Sequence, residues 1–384
     1  MKYRTISADC HIDFPWLPSS LFVDNAPTEF RDRMPYVEQR ENGPYWTTKK
    51  GAQFGLQNGM GSAGRVYVPG EIHRSDRMAE QGLYEDGNNG IPRLTTPELR
   101  IKDQDRDGVQ GEVLYGVLGA AMRLKDNEAA EVLLRIYNEW LADFCEQAPH
   151  RFAGIASVPS HSVESACDEL QRVAKRGAVS GLEIAYSPDM DPLFHPSWYP
   201  LWDLAEESRL PVHFHTIGQA FPYRQTEFEH LQRRQAFAVH ITGFQLAMSR
   251  IIMELIYGGV LESNPTLQVV VGESGIGWIP YLLEHMDLEW GDQFADLTLT
   301  MKPSEYWHRQ CYATYQSDPI GLRLLDVLGI NNVMWGSDFP HPDGIWPDSQ
   351  EFIKKEFASL DAPTKHQITC GNAARLYGFD KYES

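Results

Sequence analysis

Near the N-terminus a carboxylate and an imidazole stand two positions apart, as Asp9 and His11, at the end of a short β-type segment, 3–9. Successive side chains of a strand point to opposite faces, so Asp9 and His11 should face one way and Cys10 the other. Side by side at a strand end, the two groups could hold a divalent metal ion. A turn aspartate beside a surface histidine is the alternative for this stretch taken alone.

Further carboxylates and imidazoles follow three later apolar runs. His215 ends the run 210–215, Glu273 follows the run 267–272, and Asp338 with His341 follows the run 332–335. Each has an ordinary structural explanation by itself, as a core histidine, a helix cap or a turn residue. Because the residue types recur at the ends of separate strands, we interpret them jointly as one metal site.

The elements that must position these residues are short apolar runs separated by amphipathic stretches. The clearest helical pattern is 128–146, with apolar residues at helical spacing. Strands and helices that alternate in this way predict a (β/α)8 TIM barrel, with an open doubly wound sheet as the alternative. Catalytic groups of such barrels lie at the carboxyl ends of the strands, where the predicted ligands fall. The eight predicted strands are 3–9, 112–116, 152–158, 181–185, 210–215, 267–272, 310–314 and 332–335.

The chain is interpreted as a single barrel domain over 1–384, with insertions at about 14–110 and 216–266. The first insertion follows strand 1 and is far longer than an ordinary connection. Aromatic residues such as Tyr45, Trp46, Phe54 and Tyr67 alternate there with glycines. We therefore expect a folded cover over the strand ends that carries substrate-facing loops.

Composition limits the partners. The net charge of −19 argues against nucleic acid and anionic membrane surfaces, which require clustered positive charge. The sequence shows no apolar run approaching about 20 residues and no signal peptide, so no membrane span is expected. Five scattered cysteines are interpreted as reduced thiols of a cytoplasmic protein. The expected partners are a small-molecule substrate and either a second copy of the chain or a related subunit.

Taken together, five segments resemble the amidohydrolase-related family, in its aminocarboxymuconate-semialdehyde decarboxylase-like branch. The resemblance implies a barrel with a metal at the strand ends, and it assigns His215 and Asp338 as ligands. The first-strand HxH pair of the family is here Asp9 and His11, and its strand-six histidine is replaced by Glu273. The segments are 7–11, 210–215, 271–280, 336–341 and 372–377.

Two imidazoles with two carboxylates favour zinc, with manganese or iron as alternatives. Asp338 and Glu273 are the predicted proton acceptors for a metal-activated water, and His341 would polarise the substrate or donate a proton. A second ion is also considered, with Glu273, His73 and His240 as additional ligands.

The predicted activity is metal-dependent hydrolysis of a C–N, C–O or thioester bond. The main alternative is non-oxidative decarboxylation of an aromatic or unsaturated acid. It would require a cationic clamp, for which Arg65, Arg74, Arg123 and Arg224 are candidates. Oxygen chemistry at a dinuclear iron or manganese site and a non-catalytic binding role are the remaining alternatives.

Overall fold

The computed structural model describes residues 2–186, 190–216 and 229–383. Its contacts divide the chain into two compact units, 1–183 with 334–384 and 184–333. The prediction of one domain over 1–384 stays a prediction, and the predicted insertion 216–266 includes 217–228, which lie outside the described residues.

Eleven strands are present in the described chain. Eight of them form one parallel sheet in the order in which the chain visits them, β1-β5-β6-β7-β8-β9-β10-β11, which confirms the predicted (β/α)8 class. Every predicted barrel strand overlaps an observed one. The strands are β1 (Ile6–His11), β2 (Tyr36–Arg40), β3 (Gly43–Thr47), β4 (Gln53–Leu56), β5 (Gly111–Tyr115), β6 (Phe152–Val158), β7 (Val179–Ile184), β8 (Val212–His215), β9 (Val269–Gly272), β10 (Cys311–Tyr315) and β11 (Val333–Trp335).

Helices follow the barrel strands, and two small groups of helices lie in the segment after β1. They are α1 (Leu21–Asn25), α2 (His73–Glu80), α3 (Leu83–Asn88), α4 (Pro97–Asp107), α5 (Leu118–Arg123), α6 (Asn127–Glu146), α7 (Val163–Arg176), α8 (Tyr199–Ser208), α9 (His230–Gly243), α10 (Met248–Tyr257), α11 (Val260–Ser263), α12 (Ile279–Asp292), α13 (Pro303–Gln310), α14 (Leu325–Leu328), α15 (Ser349–Glu356), α16 (Ala362–His366) and α17 (Asn372–Tyr377).

In the first unit, the parallel strands β1, β5 and β6 are buried along their whole length. Apolar residues occur on both faces of these strands, although Asp9 and His11 are buried polar exceptions in β1. Helix α6 packs against β6, and the side chain of Asp126 caps its first turn by accepting from the backbone N–H of Ala129. The predicted helix 128–146 is therefore confirmed.

The long segment after β1 is folded, as predicted, but it contains a sheet that the sequence analysis missed. Strands β2, β3 and β4 pair antiparallel in it. Phe14 stacks on Phe54 and meets Trp46 edge-on, with ring centroids 4.7 and 4.9 Å apart. The aromatic residues of this segment thus form their own small core.

In the second unit, β8 and β10 both pair with β9, and α10 buries Ile251, Ile252 and Leu255. Among the described residues, one helical segment is long and apolar enough to cross a membrane. It is Leu231–Tyr257, which runs from α9 through α10. Core helices of soluble proteins pass the same test of length and composition. The predicted absence of a membrane partner and the predicted cytoplasmic location stay predictions.

Candidate metal centre

The end of β1 carries the first ligand pair. Asp9 and His11 are both buried, and Asp9 Oδ1 lies 3.3 Å from His11 Nε2, so the two side chains share one face as predicted. Arg100 holds the strand from behind, because its Nη1 donates to the carbonyl of His11 at 2.9 Å while its Nε donates to Glu112 Oε2 at 2.6 Å. Cys10 is also buried and contacts Ser7.

The segment after β11 brings Asp338 to the same place. The backbone N–H of Asp338 donates to the carbonyl of Asp9 at 2.9 Å, and His11 N–H donates to the carbonyl of Phe339 at 2.8 Å. A side chain at Gly336 would place its Cβ 2.5 Å from the Cβ of Asp9, so only glycine permits this approach. Asp338 itself has φ +56°, a left-handed conformation that is unusual outside glycine and typical of functional positions.

Four side chains converge at this point. Asp338 Oδ1 lies 3.1 Å from His11 Nε2 and 3.0 Å from His341 Nδ1, and the two imidazoles stack at 3.9 Å between centroids. A fifth group, Asp13, was not predicted: its carboxylate lies 3.1 Å from His341 Nε2. We call these five residues, Asp9, His11, Asp13, Asp338 and His341, the Asp338 cluster.

The Asp338 cluster fits a divalent metal ion. Asp338 is fully buried, yet neither of its carboxylate oxygens accepts a hydrogen bond from any residue that the structure describes. Two ligand atoms that each lie about 2.1 Å from one ion, and at right angles, are about 3.0 Å apart. The 3.1 Å between Asp338 Oδ1 and His11 Nε2 matches that spacing. One ligand atom each of His11, Asp338 and His341 lies within 4.8 Å of the others.

The charges of the cluster also favour a cation. Burial and the neighbouring His341 lower the pKa of His11, but the carboxylates of Asp338 and Asp9 outweigh them and raise it to about 9. Burial likewise lowers the pKa of His341, and Asp338 and Asp13 raise it well above its ordinary value. For Asp338 burial raises the pKa, but the two imidazoles hold it below its usual range. The carboxylates thus dominate the local field.

Two further charged groups lie near the cluster. Asp343 is exposed to solvent, and desolvation and the charge of Asp338 raise its pKa. Arg123 is half-buried with its guanidinium 5.7 Å from the ring of Phe54. Burial raises the pKa of Asp13, but His341 above all, with a smaller contribution from Arg123, holds it below its usual range. Among the four arginines proposed as a clamp, Arg123 is therefore linked electrostatically to the cluster.

In the second unit, His215 and Glu273 lie together, as expected for neighbouring strands β8 and β9. Both are buried, and His215 Nδ1 is 3.8 Å from Glu273 Oε2. Thr216 Oγ1 donates to the same oxygen at 2.8 Å, and the backbone N–H of Glu273 donates to Thr314 Oγ1 at 2.7 Å. Glu273, like Asp338, has a left-handed backbone, with φ +50°. Their roles as ligand and base stay predictions.

The histidines proposed as ligands of a second ion are less suitably placed for metal binding than the residues of the Asp338 cluster. His73 is exposed at the first position of α2, where its charge acts on Asp76 and Asp348. His240 is half-buried in α9, 6.1 Å from the ring of Phe244. Among the described residues, neither belongs to a group of three ligand atoms within 4.8 Å of one another. Arg224 lies outside the described residues.

A simple spacing signal identifies one of the two missed carboxylates, Asp13, as a candidate, although not its role. Asp9, His11 and Asp13 continue one period-two pattern, and Asp343 stands two positions past His341. The alternation that identified the first pair extends by one step to Asp13, whereas Asp343 lies in a turn, where no such alternation applies.

Comparison with known families identifies the chain. The family model described as Amidohydrolase matches residues 8–379, so the protein belongs to the amidohydrolase family of enzymes. The family resemblance stated above is confirmed.

Relatives with named activities are decarboxylases. The 2-amino-3-carboxymuconate-6-semialdehyde decarboxylase of Dictyostelium discoideum is 25% identical over 74% of this chain and 77% of its own. An amidohydrolase from Mycobacterium avium subsp. paratuberculosis K-10 has the same fold, with a TM-score of 0.73, 18% identity and 98% of both chains covered. A dihydroxybenzoic acid decarboxylase from Polaromonas sp. JS666, solved with manganese and the inhibitor 2-nitroresorcinol, has a TM-score of 0.61 and 19% identity over 81% of this chain and 95% of its own.

These comparisons correct the predicted reaction. Hydrolysis was the main prediction, and it is wrong, because the relatives with named activities are decarboxylases, the stated alternative. The physical reason for the error is that both reactions use the same ligand types, so ligand spacing cannot separate them. A divalent metal agrees with the relatives, whereas zinc in particular stays a prediction.

Proposed function

We propose that the protein is a divalent-metal-dependent, non-oxidative decarboxylase of an aromatic carboxylic acid, with manganese as its ion. The observation that carries the proposal is Asp338, a fully buried carboxylate whose two oxygens accept no hydrogen bond within the described chain. Its charge is balanced only by the imidazoles of His11 and His341, 3.1 and 3.0 Å from Oδ1, and a bound cation would satisfy the buried oxygens further. The aromatic acid and the manganese come from the Polaromonas relative, a dihydroxybenzoic acid decarboxylase.

Asp9, His11 and Asp338 would hold the ion, and His215 with Glu273 are the further ligands predicted from the sequence. The ion supplies a Lewis acid for the oxygens of the substrate. Mixed carboxylate and imidazole donors suit manganese as well as zinc.

Two protein side chains would bind the substrate and supply the proton. Arg123, whose charge contributes to the lowered pKa of Asp13, would bind the carboxylate of the incoming acid. Loss of carbon dioxide breaks the bond between the ring carbon and the carboxyl carbon and leaves the electron pair on the ring. A proton must then form the new C–H bond, and His341, in contact with Asp338 at 3.0 Å, is the proposed donor. The reaction needs no oxidant or reductant.

The experiment that tests this function is product detection. The full chain, loaded with manganese, is incubated with a panel of hydroxylated benzoic acids, and carbon dioxide and the decarboxylated phenol are measured. Equal amounts of both products are expected, and none from Asp338→Asn enzyme. If no acid of the panel releases carbon dioxide while amides or lactones are hydrolysed, the proposal is overturned.

A further inference from the structure

Asp13 is a buried carboxylate without an ordinary structural role. It precedes the short helical turn Phe14–Trp16, and its backbone carbonyl accepts from Trp16 N–H, but its side chain does not cap that turn. Both carboxylate oxygens point instead to His341 Nε2, at 3.1 and 3.3 Å. The side chain therefore serves a residue that is 328 positions away in the chain.

His341 has a carboxylate on either side, and the two contacts differ in kind. The Nε2 contact with Asp13 satisfies hydrogen-bond geometry, whereas the Nδ1 contact with Asp338 does not. The ring also stacks on His11, with an angle of 26° between the planes. Stacking sets the plane of the ring, and the hydrogen bond to Asp13 sets which nitrogen faces inward.

We propose that Asp13 is a positioning residue, which holds His341 by its Nε2–H so that Nδ1 faces Asp338. This inference rests on the proposed function and extends it, since it assigns the group that aims the proton donor. A carboxylate that orients a histidine through the nitrogen remote from the reacting centre is a recurring arrangement in metal sites. Replacing such a partner changes metal affinity or activity by about 10- to 100-fold.

Asp13→Asn is the informative variant, because the amide has the same shape but loses the charge that holds the ring. In the manganese-loaded full chain, kcat should fall by about 10- to 100-fold while KM is unchanged. Asp13→Glu keeps the carboxylate and should restore part of kcat. The matched control is Glu131→Gln, which alters the histidine–carboxylate pair of His161 and Glu131, 2.9 Å apart outside the site, and should have no effect on kcat.

A second measurement does not depend on activity. In zinc-loaded protein labelled with nitrogen-15 histidine, the His341 signals are assigned by their loss in His341→Asn. The wild-type ring should carry its proton on Nε2, and Asp13→Asn should shift that signal without changing the other histidines. A wild-type Nε2 that carries no proton at neutral pH would overturn the proposal, even if the Asp13 variants did not fold.

The two proposals can fail separately. If the wild-type chain releases no carbon dioxide but Asp13→Asn moves the His341 signal, the proposed reaction is wrong and the positioning contact stands. If the wild-type chain is an active decarboxylase, and Asp13→Asn matches it in kcat and in the His341 signals, the positioning role is overturned.

Discussion

The aspartates that follow consecutive strands β10 and β11 are held in opposite ways. Asp318, after β10, accepts from the backbone N–H groups of Ile276, Gly277 and Gly321 at 2.8, 2.6 and 2.9 Å. Asp338, after β11, is fully buried and accepts from no donor in the described chain. A carboxylate bound by backbone donors ties loops together, whereas one kept free of them is available to a cation. Position at a strand end therefore does not by itself define a ligand.

The largest effect on metal binding and activity is expected when the negative charge of Asp338 is removed. Asp338→Asn keeps the shape of the side chain but not the charge, so the chain should lose its metal. Decarboxylation should slow by at least about a thousandfold, or about 4 kcal/mol in the barrier. Elemental analysis and carbon dioxide release measure the two losses. An Asp338→Asn variant that keeps both metal and rate would contradict the assignment of Asp338 as a ligand.

Adding metal to chelator-treated protein should show that Asp338, and not Asp318, binds the ion. An ion that binds only the folded chain raises the free energy of unfolding by about 2.7 kcal/mol at a hundredfold excess over Kd. Thermal unfolding with and without manganese should show this shift in wild type and in Asp318→Ala, but not in Asp338→Asn. Equal shifts in all three proteins would place the ion elsewhere.

Asp318 should show the opposite behaviour. Asp318→Ala leaves three backbone N–H groups without this acceptor, and the free energy of unfolding should fall by about 1–3 kcal/mol. The rate per folded molecule should stay at the wild-type value, because Asp318 holds loops rather than metal. Urea unfolding measures the stability, and steady-state kinetics measure the rate. A variant that is as stable as wild type but inactive would contradict the structural role of Asp318.

The smallest effect concerns the cation beside the cluster. Arg123→Met should raise KM about tenfold, or about 1.4 kcal/mol in binding, with less change in kcat. Arg65→Met is the matched control, because Arg65 is an exposed arginine of the segment after β1 and should leave KM unchanged. The reverse outcome, in which only the Arg65 variant raises KM, would reassign the clamp.

Much of the fold was predictable because the barrel strands are locally encoded. Strands buried on both faces are rich in apolar side chains and lie between helical patterns, so all of them could be found in the sequence. Strands β2, β3 and β4 were missed because they are partly exposed, and glycines interrupt the pattern of β3 and β4. Their aromatic residues did predict a folded segment, although not its strands.

The site was predictable in part for the same reason. The ends of parallel strands meet at one edge of a barrel, so Asp9, His11 and Asp338 could be placed together from their position after strands. Asp13 could not be assigned, since its contact with His341 joins residues 328 positions apart. The reaction could not be assigned either, because hydrolysis and decarboxylation use the same donor atoms.

The sequence by itself determined the barrel, the family and the chemical types of the ligands, because each depends on local pattern or on motifs. Only the tertiary structure decided how the carboxylates are used. It gave Asp318 three backbone donors, left Asp338 without any among the described residues, and turned Asp13 toward His341. Whether a carboxylate is satisfied depends on donors brought from distant parts of the chain, and no local pattern specifies them.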